Sequence, residues 1–261
     1  MKSRIDIPVE PAWPEPPNDP RLNANEVHVW SVSLDQAQSQ MSNLAATLCP
    51  EEQTRARRFH FERDRNRFVV ARGSLRTLLG PYLRIPPSEI TFEYSARGKP
   101  SLENISGGGA VHFNLAHSGG LALIAVTRVA ELGVDVEQSR PVEDAEAIAQ
   151  RFFSARESAI LRSLQPPEVQ TVFFNLWTRK EAWLKATGEG IGESLNQVEV
   201  SCLPNDPSRV VSLFGNVEAA REWRLMHLAP ANGYVGALAI RAAAIQLKCW
   251  HFNLVGMDSQ Q

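Results

Sequence analysis

Hydrophobic and polar positions fall into two rhythms along this chain. The helical one is clearest around residues 173–185. Phe173, Phe174, Trp177 and Leu184, with Ala182 and Trp183 near them, recur at helical spacing and predict one helix through Trp177 and Lys185. That helix should end at the glycines 188, 190 and 192. A second helix starts at Pro50-Glu51-Glu52, where a proline and acids suit a first turn. Residues 69–82 continue as helix, with a break expected near Gly80-Pro81, and residues 143–164 read as another.

The extended rhythm predicts strands at 27–34, 91–94, 111–115, 121–126 and 132–137. From Val198 onward every apolar stretch reads as strand, giving an expected sheet behind the central helix. His28 falls on the polar side of the first strand and is expected to be exposed. Residues 85–90 form a turn, 98–100 a tight turn, and 107–109 a glycine loop with no following Gly-Lys-Ser/Thr. Six prolines within residues 8–20 exclude helix and inner strand, so this segment is an extended arm or leader.

Composition narrows the class. With 261 residues, 43% hydrophobic and 21% charged, the chain can bury a real core in one large or two small domains. A net charge of −2 argues against a general nucleic-acid binder. Cys49, Cys202 and Cys249 are odd in number and widely spaced, which fits a reducing cytoplasm and neither a disulfide framework nor a CxxC metal site. No apolar run approaches the roughly 18–20 residues that span a bilayer. The chain has 22 Arg but five Lys, and three of those five, Lys99, Lys180 and Lys185, sit in the motifs below.

Three carboxylates stand out. Asp135 and Glu137 project to one side of the 132–137 strand, because side chains alternate with period two. Paired acids on an apolar strand repel unless something neutralises them, and a divalent cation with hard oxygen ligands does so. A solvated strand end would also tolerate them. Glu181 and Lys185 lie one turn apart on the central helix; an ordinary surface ion pair would look the same. Six arginines and three phenylalanines within residues 55–68 suggest a pocket for several phosphates, or a solvated face with internal salt bridges.

Taken together, Gly133-Val134-Asp135-Val136-Glu137, Trp177-x-x-Lys180-Glu181-Ala182 and Lys185 resemble the signature of the 4′-phosphopantetheinyl transferases, best the longer surfactin-synthetase-activator type. Gly98-Lys99-Pro100 and Phe113-Asn114-Leu115-Ala116-His117-Ser118 add to it in the right order, so the resemblance runs from about Pro50 to Gly190. It implies an α+β fold of two similar α/β halves about a pseudo-twofold, with the site in the cleft between them. The expected division is a Pro-rich arm (1–25), a coenzyme-A-binding half (26–138) and a half with the metal and catalytic helix (139–261). It implies transfer of the 4′-phosphopantetheine arm of coenzyme A to a serine of an apo acyl carrier protein, or of carrier domains of polyketide and nonribosomal peptide synthases.

By the same resemblance, Asp135, Glu137 and Glu181 hold Mg²⁺, with Mn²⁺ an alternative. Glu181 is the general base and Lys185 assists the leaving 3′,5′-ADP. Arg55, Arg67, Lys99, His117, Ser118, Lys180 and Lys185 contact coenzyme A. Ala116 stands where the family often has a serine, removing a hydroxyl contact worth about 0.5–1.5 kcal/mol. A cytoplasmic monomer is expected, with no nucleic-acid or membrane partner. Two other readings stay open: a metal-dependent nuclease, though here Lys180-Glu181 lies on a helix, and a non-catalytic module that binds carriers or nucleotides.

Overall fold

Valines at 27, 29 and 32 and Trp30 build the first strand of a sheet that buries all of its residues except the last. A computed structural model describes residues 13–36, 38–102, 110–189, 195–204 and 206–253. The glycine run at 107–109, Gly190, Gly192 and the prolines before residue 13 lie outside those residues. The chain proceeds through β1 (Glu26–Ser33), α1 (Gln38–Ala46), α2 (Pro50–Arg57), α3 (Glu62–Leu83), β2 (Phe92–Tyr94), β3 (Pro100–Leu102), β4 (His112–Ser118) and β5 (Leu121–Thr127). It continues through β6 (Leu132–Gln138), α4 (Ala145–Phe152), α5 (Ala155–Ser163), α6 (Pro166–Thr187), β7 (Val198–Val200), β8 (Val210–Leu213), α7 (Val217–Arg221), β9 (Trp223–Leu228), β10 (Tyr234–Arg241) and β11 (Gln246–His251). The fold class is α+β.

The chain divides into two compact units. One runs to Val129 and takes back β11; the other spans Ala130–Ile245. Each repeats one order of elements: a strand, two short helices, a 22-residue helix, a 3₁₀ turn, a two-stranded hairpin, then two strands. The sheets repeat it too. In the first unit β1 pairs antiparallel with β5, and β5 with β4; in the second β6 pairs with β10, and β10 with β9. The differences are α7 in the second unit and β11, which adds parallel to β1 in the first. Each unit has its own apolar core, one centred on Trp30, Leu75 and Ile124, the other on Phe173, Leu176 and Trp183.

Local chemistry explains the two long helices. α6 opens on Pro166, carries Glu168 in its first turn and Lys185 in its last, and closes on Gly188 at φ 73°, whose N–H donates to Leu184 O. α3 presses against α1 at Gly73, where a Cβ would lie 2.6 Å from Leu44 Cβ. It continues through Pro81 to Leu83 rather than breaking at Gly80-Pro81, and ends on Arg84 at φ 58°. Residues 143–164 form two helices, because the Phe153-Ser154 step breaks the run and Ser154 caps the second.

Two further expectations change. The strands after Val198 do not form one sheet: β9 and β10 join β6, whereas β11 crosses back to β1. His28 is not exposed but fully buried in β1, within a satisfied polar chain. With His28 Nε2–H donating to Glu26 (3.1 Å), Nδ1 accepts from Tyr82 O–H (2.8 Å), and Trp30 Nε1–H donates to the same tyrosine oxygen (3.1 Å). Lys248 on β11 completes it, 2.5 Å from Glu26. The described part of the Pro-rich arm meets that strand: Trp13 stacks on His251 at 5.6 Å.

Burial alone would raise the Glu26 carboxyl, but hydrogen bonds from Lys248, Asn23 and His28 outweigh it and hold it at about 2. A depressed carboxyl stabilises the folded chain above its unfolded value, near 4.3, and loses that contribution as pH falls toward about 2. Acid unfolding followed by circular dichroism should therefore steepen between pH 4 and 2, and Glu26→Gln should flatten that dependence while lowering stability at pH 7.

Candidate active site

Gly133 determines how closely β6 and α6 approach. A Cβ there would lie 2.0 Å from Ala182 O and 2.4 Å from Ala186 N, distances no side chain tolerates. The helix backbone therefore packs directly on the strand. Two residues on, Asp135 emerges on the same face of β6, next to the helix segment carrying Glu181 and Lys185. Lys185 Nζ donates to Asp135 Oδ1 at 2.5 Å. The other oxygen, Asp135 Oδ2, is buried without a hydrogen-bond partner, and so is Glu181 Oε1.

These carboxylates sense one another. Burial pushes the Asp135 carboxyl up to about 7; Lys185 opposes that shift, while Glu181 and Glu137 add to it. Burial likewise raises Glu181, with Glu137 adding and Lys185 opposing. The sequence-predicted trio thus shares one electrostatic neighbourhood on β6 and α6. It is not gathered into a ready-made cage: among the described residues, no three His, Cys, Asp or Glu side chains converge closely enough to hold an ion. Two orphaned buried carboxylate oxygens on facing elements are nonetheless hard, anionic donors, the chemistry that suits Mg²⁺.

Beside Glu137 opens a cavity of about 360 Å³ lined by Arg140, Val142, Ile148, Phe173 and Trp177. Trp177 lies one turn before Glu181 and packs on Phe152 and Phe173, so it fixes that face of α6 from the apolar side.

Lys180 does not join this group. It is fully buried, ion-paired to Glu157 at 2.8 Å, and donates to Leu195 O (3.0 Å) and Val198 O. The expectation that it contacts coenzyme A is corrected: adjacent helix residues point about 100° apart, so Lys180 and Glu181 face different neighbours.

Lys185 shares the second unit with Asp135 and Glu181, and the other five predicted coenzyme A residues, Arg55, Arg67, Lys99, His117 and Ser118, lie in the first unit. Arg55 lines an open groove of about 800 Å³ with Arg58, Arg72, Phe59, Phe68 and Tyr94. Its guanidinium lies 5.4 Å from the Phe68 ring centroid, and Arg72 sits 4.4 Å from that of Phe92. The sequence marked this segment as basic and aromatic but did not single out Arg58 or Tyr94; Tyr94 enters because β2 carries it to α3. Arg72 is held by Glu52 (2.5 Å) and by the Tyr94 hydroxyl. The groove does not include the other four residues. Arg67 forks onto Asp35 with bonds of 2.8 and 2.9 Å, beside Gly120. His117 is exposed and Ser118 buried at the end of β4, and Lys99 is half-buried just before β3.

Comparison with known proteins reaches the same chemistry. The profile of the 4′-phosphopantetheinyl transferase superfamily matches residues 131–239, and that of the 4′-phosphopantetheinyl transferase N-terminal region matches residues 30–129. The chain is 43% identical over 239 residues to the 4′-phosphopantetheinyl transferase HetI of Nostoc sp., covering 92% of this chain and 97% of that one. It is 28% identical to 4′-phosphopantetheinyl transferase Sfp of Bacillus subtilis, over 66% of this chain and 75% of that one. It is 27% identical to the human L-aminoadipate-semialdehyde dehydrogenase-phosphopantetheinyl transferase, over 74% and 66%.

Because α6 and β6 touch through backbone at Gly133, Gly133→Val should separate them. Overpacking of this kind costs about 1–3 kcal/mol, and this contact with rigid backbone lies at the upper end. Urea denaturation should show the loss, and the variant should lose transfer activity even at temperatures where it stays folded.

Proposed function

This chain belongs to the 4′-phosphopantetheinyl transferase superfamily, and on that premise we propose how it works. It transfers the 4′-phosphopantetheine arm of coenzyme A to a serine of apo carrier proteins, releasing 3′,5′-ADP. The observation that carries the assignment of its chemistry is the pair of buried, unpartnered carboxylate oxygens on Asp135 and Glu181, with Lys185 between strand and helix.

Asp135 and Glu181, with Glu137, would hold Mg²⁺, or Mn²⁺ in its place; the ion supplies neutralisation of the diphosphate charge. The remaining steps fall to the chain itself. The carrier serine Oγ attacks the β-phosphorus; the bond to the bridging oxygen of the ADP half breaks as the new P–O bond forms. Glu181 takes the serine proton, a role its raised carboxyl favours. Lys185, half-buried at the mouth of the site, faces the charge that develops on the leaving 3′,5′-ADP.

Arg55, with its neighbours Arg58 and Arg72 in the groove, takes part of the nucleotide, whose phosphates need several cations. A groove of about 800 Å³ lies within the usual range for such ligands. Arg67, Lys99, His117 and Ser118 complete that binding; Arg67 must then share its fork between Asp35 and a phosphate. Two similar halves about a pseudo-twofold, with the site in the cleft between them, belong to this proposal. The repeated element order supports the similarity of the halves. We also propose action as a cytoplasmic monomer on acyl, polyketide or peptide carriers; among the described residues no helix is long and apolar enough to cross a membrane.

Intact-mass spectrometry of an apo acyl carrier protein incubated with the protein, coenzyme A and Mg²⁺ should show the gain of one phosphopantetheine arm. EDTA, Asp135→Asn and Glu181→Gln should each abolish it; substantial turnover in either variant sinks the assignment. Arg55→Ala should raise KM for coenzyme A about tenfold at little changed kcat, the signature of lost ground-state binding.

A further inference from the structure

The two units carry the same buried device at matching places. In the second unit Lys180 stands fourteen residues after the start of α6; in the first, Arg76 stands fourteen residues after the start of α3. Both are essentially inaccessible. Each pairs with a buried glutamate at the third position of the preceding helix: Lys180 with Glu157 of α5 (2.8 Å), Arg76 with Glu52 of α2 (2.6 Å). Each glutamate also closes a capping box, accepting from Ser154 N (2.7 Å) or Cys49 N (3.1 Å). Each base then reaches forward to two backbone carbonyls beyond its helix: Leu195 and Val198 for Lys180, Pro87 and Ile90 for Arg76. Glu157 also accepts from Val200 N at 2.8 Å, tying in β7.

We infer that Lys180 and Glu157 are positioning residues, a buried clamp that fixes the rotation of α6 and so aims Glu181 and Lys185 at β6. The clamp joins α6 to α5 and to the segment entering β7. Glu181 and Lys185 leave the helix on a common stripe, one turn apart, and the clamp residue leaves it about 100° from Glu181. With a side-chain radius of about 5–6 Å, a 20° roll of the helix would move the Glu181 carboxylate by about 2 Å. Misplacement on that scale costs catalysis far more than it costs binding of a remote nucleotide. On the sister helix, the positions matching Glu181 and Lys185 hold Thr77 and Pro81. The clamp is thus common to both units, whereas the chemistry it aims is present in one.

The inference rests on the transferase reading for its kinetic readout, so a second readout accompanies it. Three variants of the full chain suffice: Lys180→Met/Glu157→Gln, which removes both buried charges together; Lys180→Gln/Glu157→Gln, which removes the charges but keeps a polar pair; and Lys180→Arg, which installs the base used by the sister clamp. The first double variant should stay folded by circular dichroism yet lose kcat at least tenfold, with KM for coenzyme A within threefold of wild type. Mn²⁺ affinity in the presence of coenzyme A, read by electron paramagnetic resonance, should weaken about tenfold. Lys180→Arg should keep kcat within threefold.

A folded double variant with kcat and Mn²⁺ affinity within twofold of wild type overturns the inference and leaves a purely stabilising pair. A loss confined to KM for coenzyme A overturns it too, and returns Lys180 to phosphate binding. Should that double variant not fold, the same criteria apply to Lys180→Gln/Glu157→Gln. If the wild-type protein transfers nothing to a panel of carriers, the transferase reading fails, and the Mn²⁺ comparison alone decides the clamp.

Discussion

The contact at Gly133 is what the second unit is arranged around. A strand and a helix ordinarily stand apart by the thickness of two side chains. Here one of those layers is missing, because any Cβ at residue 133 would occupy the space of the Ala182 carbonyl. Small residues continue the seam on the helix side, with Ala182 and Ala186 both buried against the strand. The close approach has an electrostatic consequence. Asp135 cannot leave the interface, so its carboxylate meets Lys185 and shares space with Glu181 at low solvent access. A looser packing would let water separate those charges, and their mutual influence would fade.

Repetition of the element order shows which parts of the architecture are generic. Both units use a 22-residue helix laid on an antiparallel sheet, and both lock it with a buried acid–base pair. Buried ion pairs add little net stability over apolar residues, because desolvation offsets their attraction. Their geometric demand is high, since every oxygen and every N–H must find a partner. That makes them better at specifying one arrangement than at holding it together, and two of them at equivalent positions argue for specification.

Much of the site was legible in the sequence, because its signal is local. Asp135 and Glu137 are two apart on a strand, Glu181 and Lys185 four apart on a helix; period and spacing alone put each pair on one face. Local reasoning failed where a partner came from far along the chain. His28 read as exposed because its strand alternates; its burial depends on Tyr82 and on Lys248 from β11, 54 and 220 residues away. The return of β11 to β1 is a long-range parallel pairing with no signature in either strand. Lys180 misled for a different reason: it stands in the motif beside Glu181, yet adjacent helix residues do not share a face. The two similar halves were implied by the family resemblance but not by any internal repeat, because the likeness is kept in element order and in the clamp, with Arg for Lys and Cys for Ser, rather than in residue identity.

The distribution of unmet polar groups ties these threads together. In the first unit the buried charges are satisfied: Glu26, His28, Glu52 and Arg76 each have partners, and the exceptions among the described residues are Trp13 Nε1 and Ser74 Oγ. In the second unit five orphaned atoms lie on α6 and on the strand it packs against, namely Asp135 Oδ2, Glu181 Oε1, Asn175 Oδ1, Arg179 Nε and Trp183 Nε1. A sequence optimised for stability alone would remove such groups, since each costs about 1–3 kcal/mol. Two of the five are carboxylate oxygens on neighbouring elements whose charges act on one another, which is the least economical way to leave polar atoms unpaired. Strain of that kind persists where a ligand or a developing charge relieves it. The helix that bears it is also the one fixed by the Gly133 contact on one side and by the Lys180–Glu157 clamp on the other. Rigid backbone support and unsatisfied charge therefore coincide on α6, as a site built to meet a charged transition state requires.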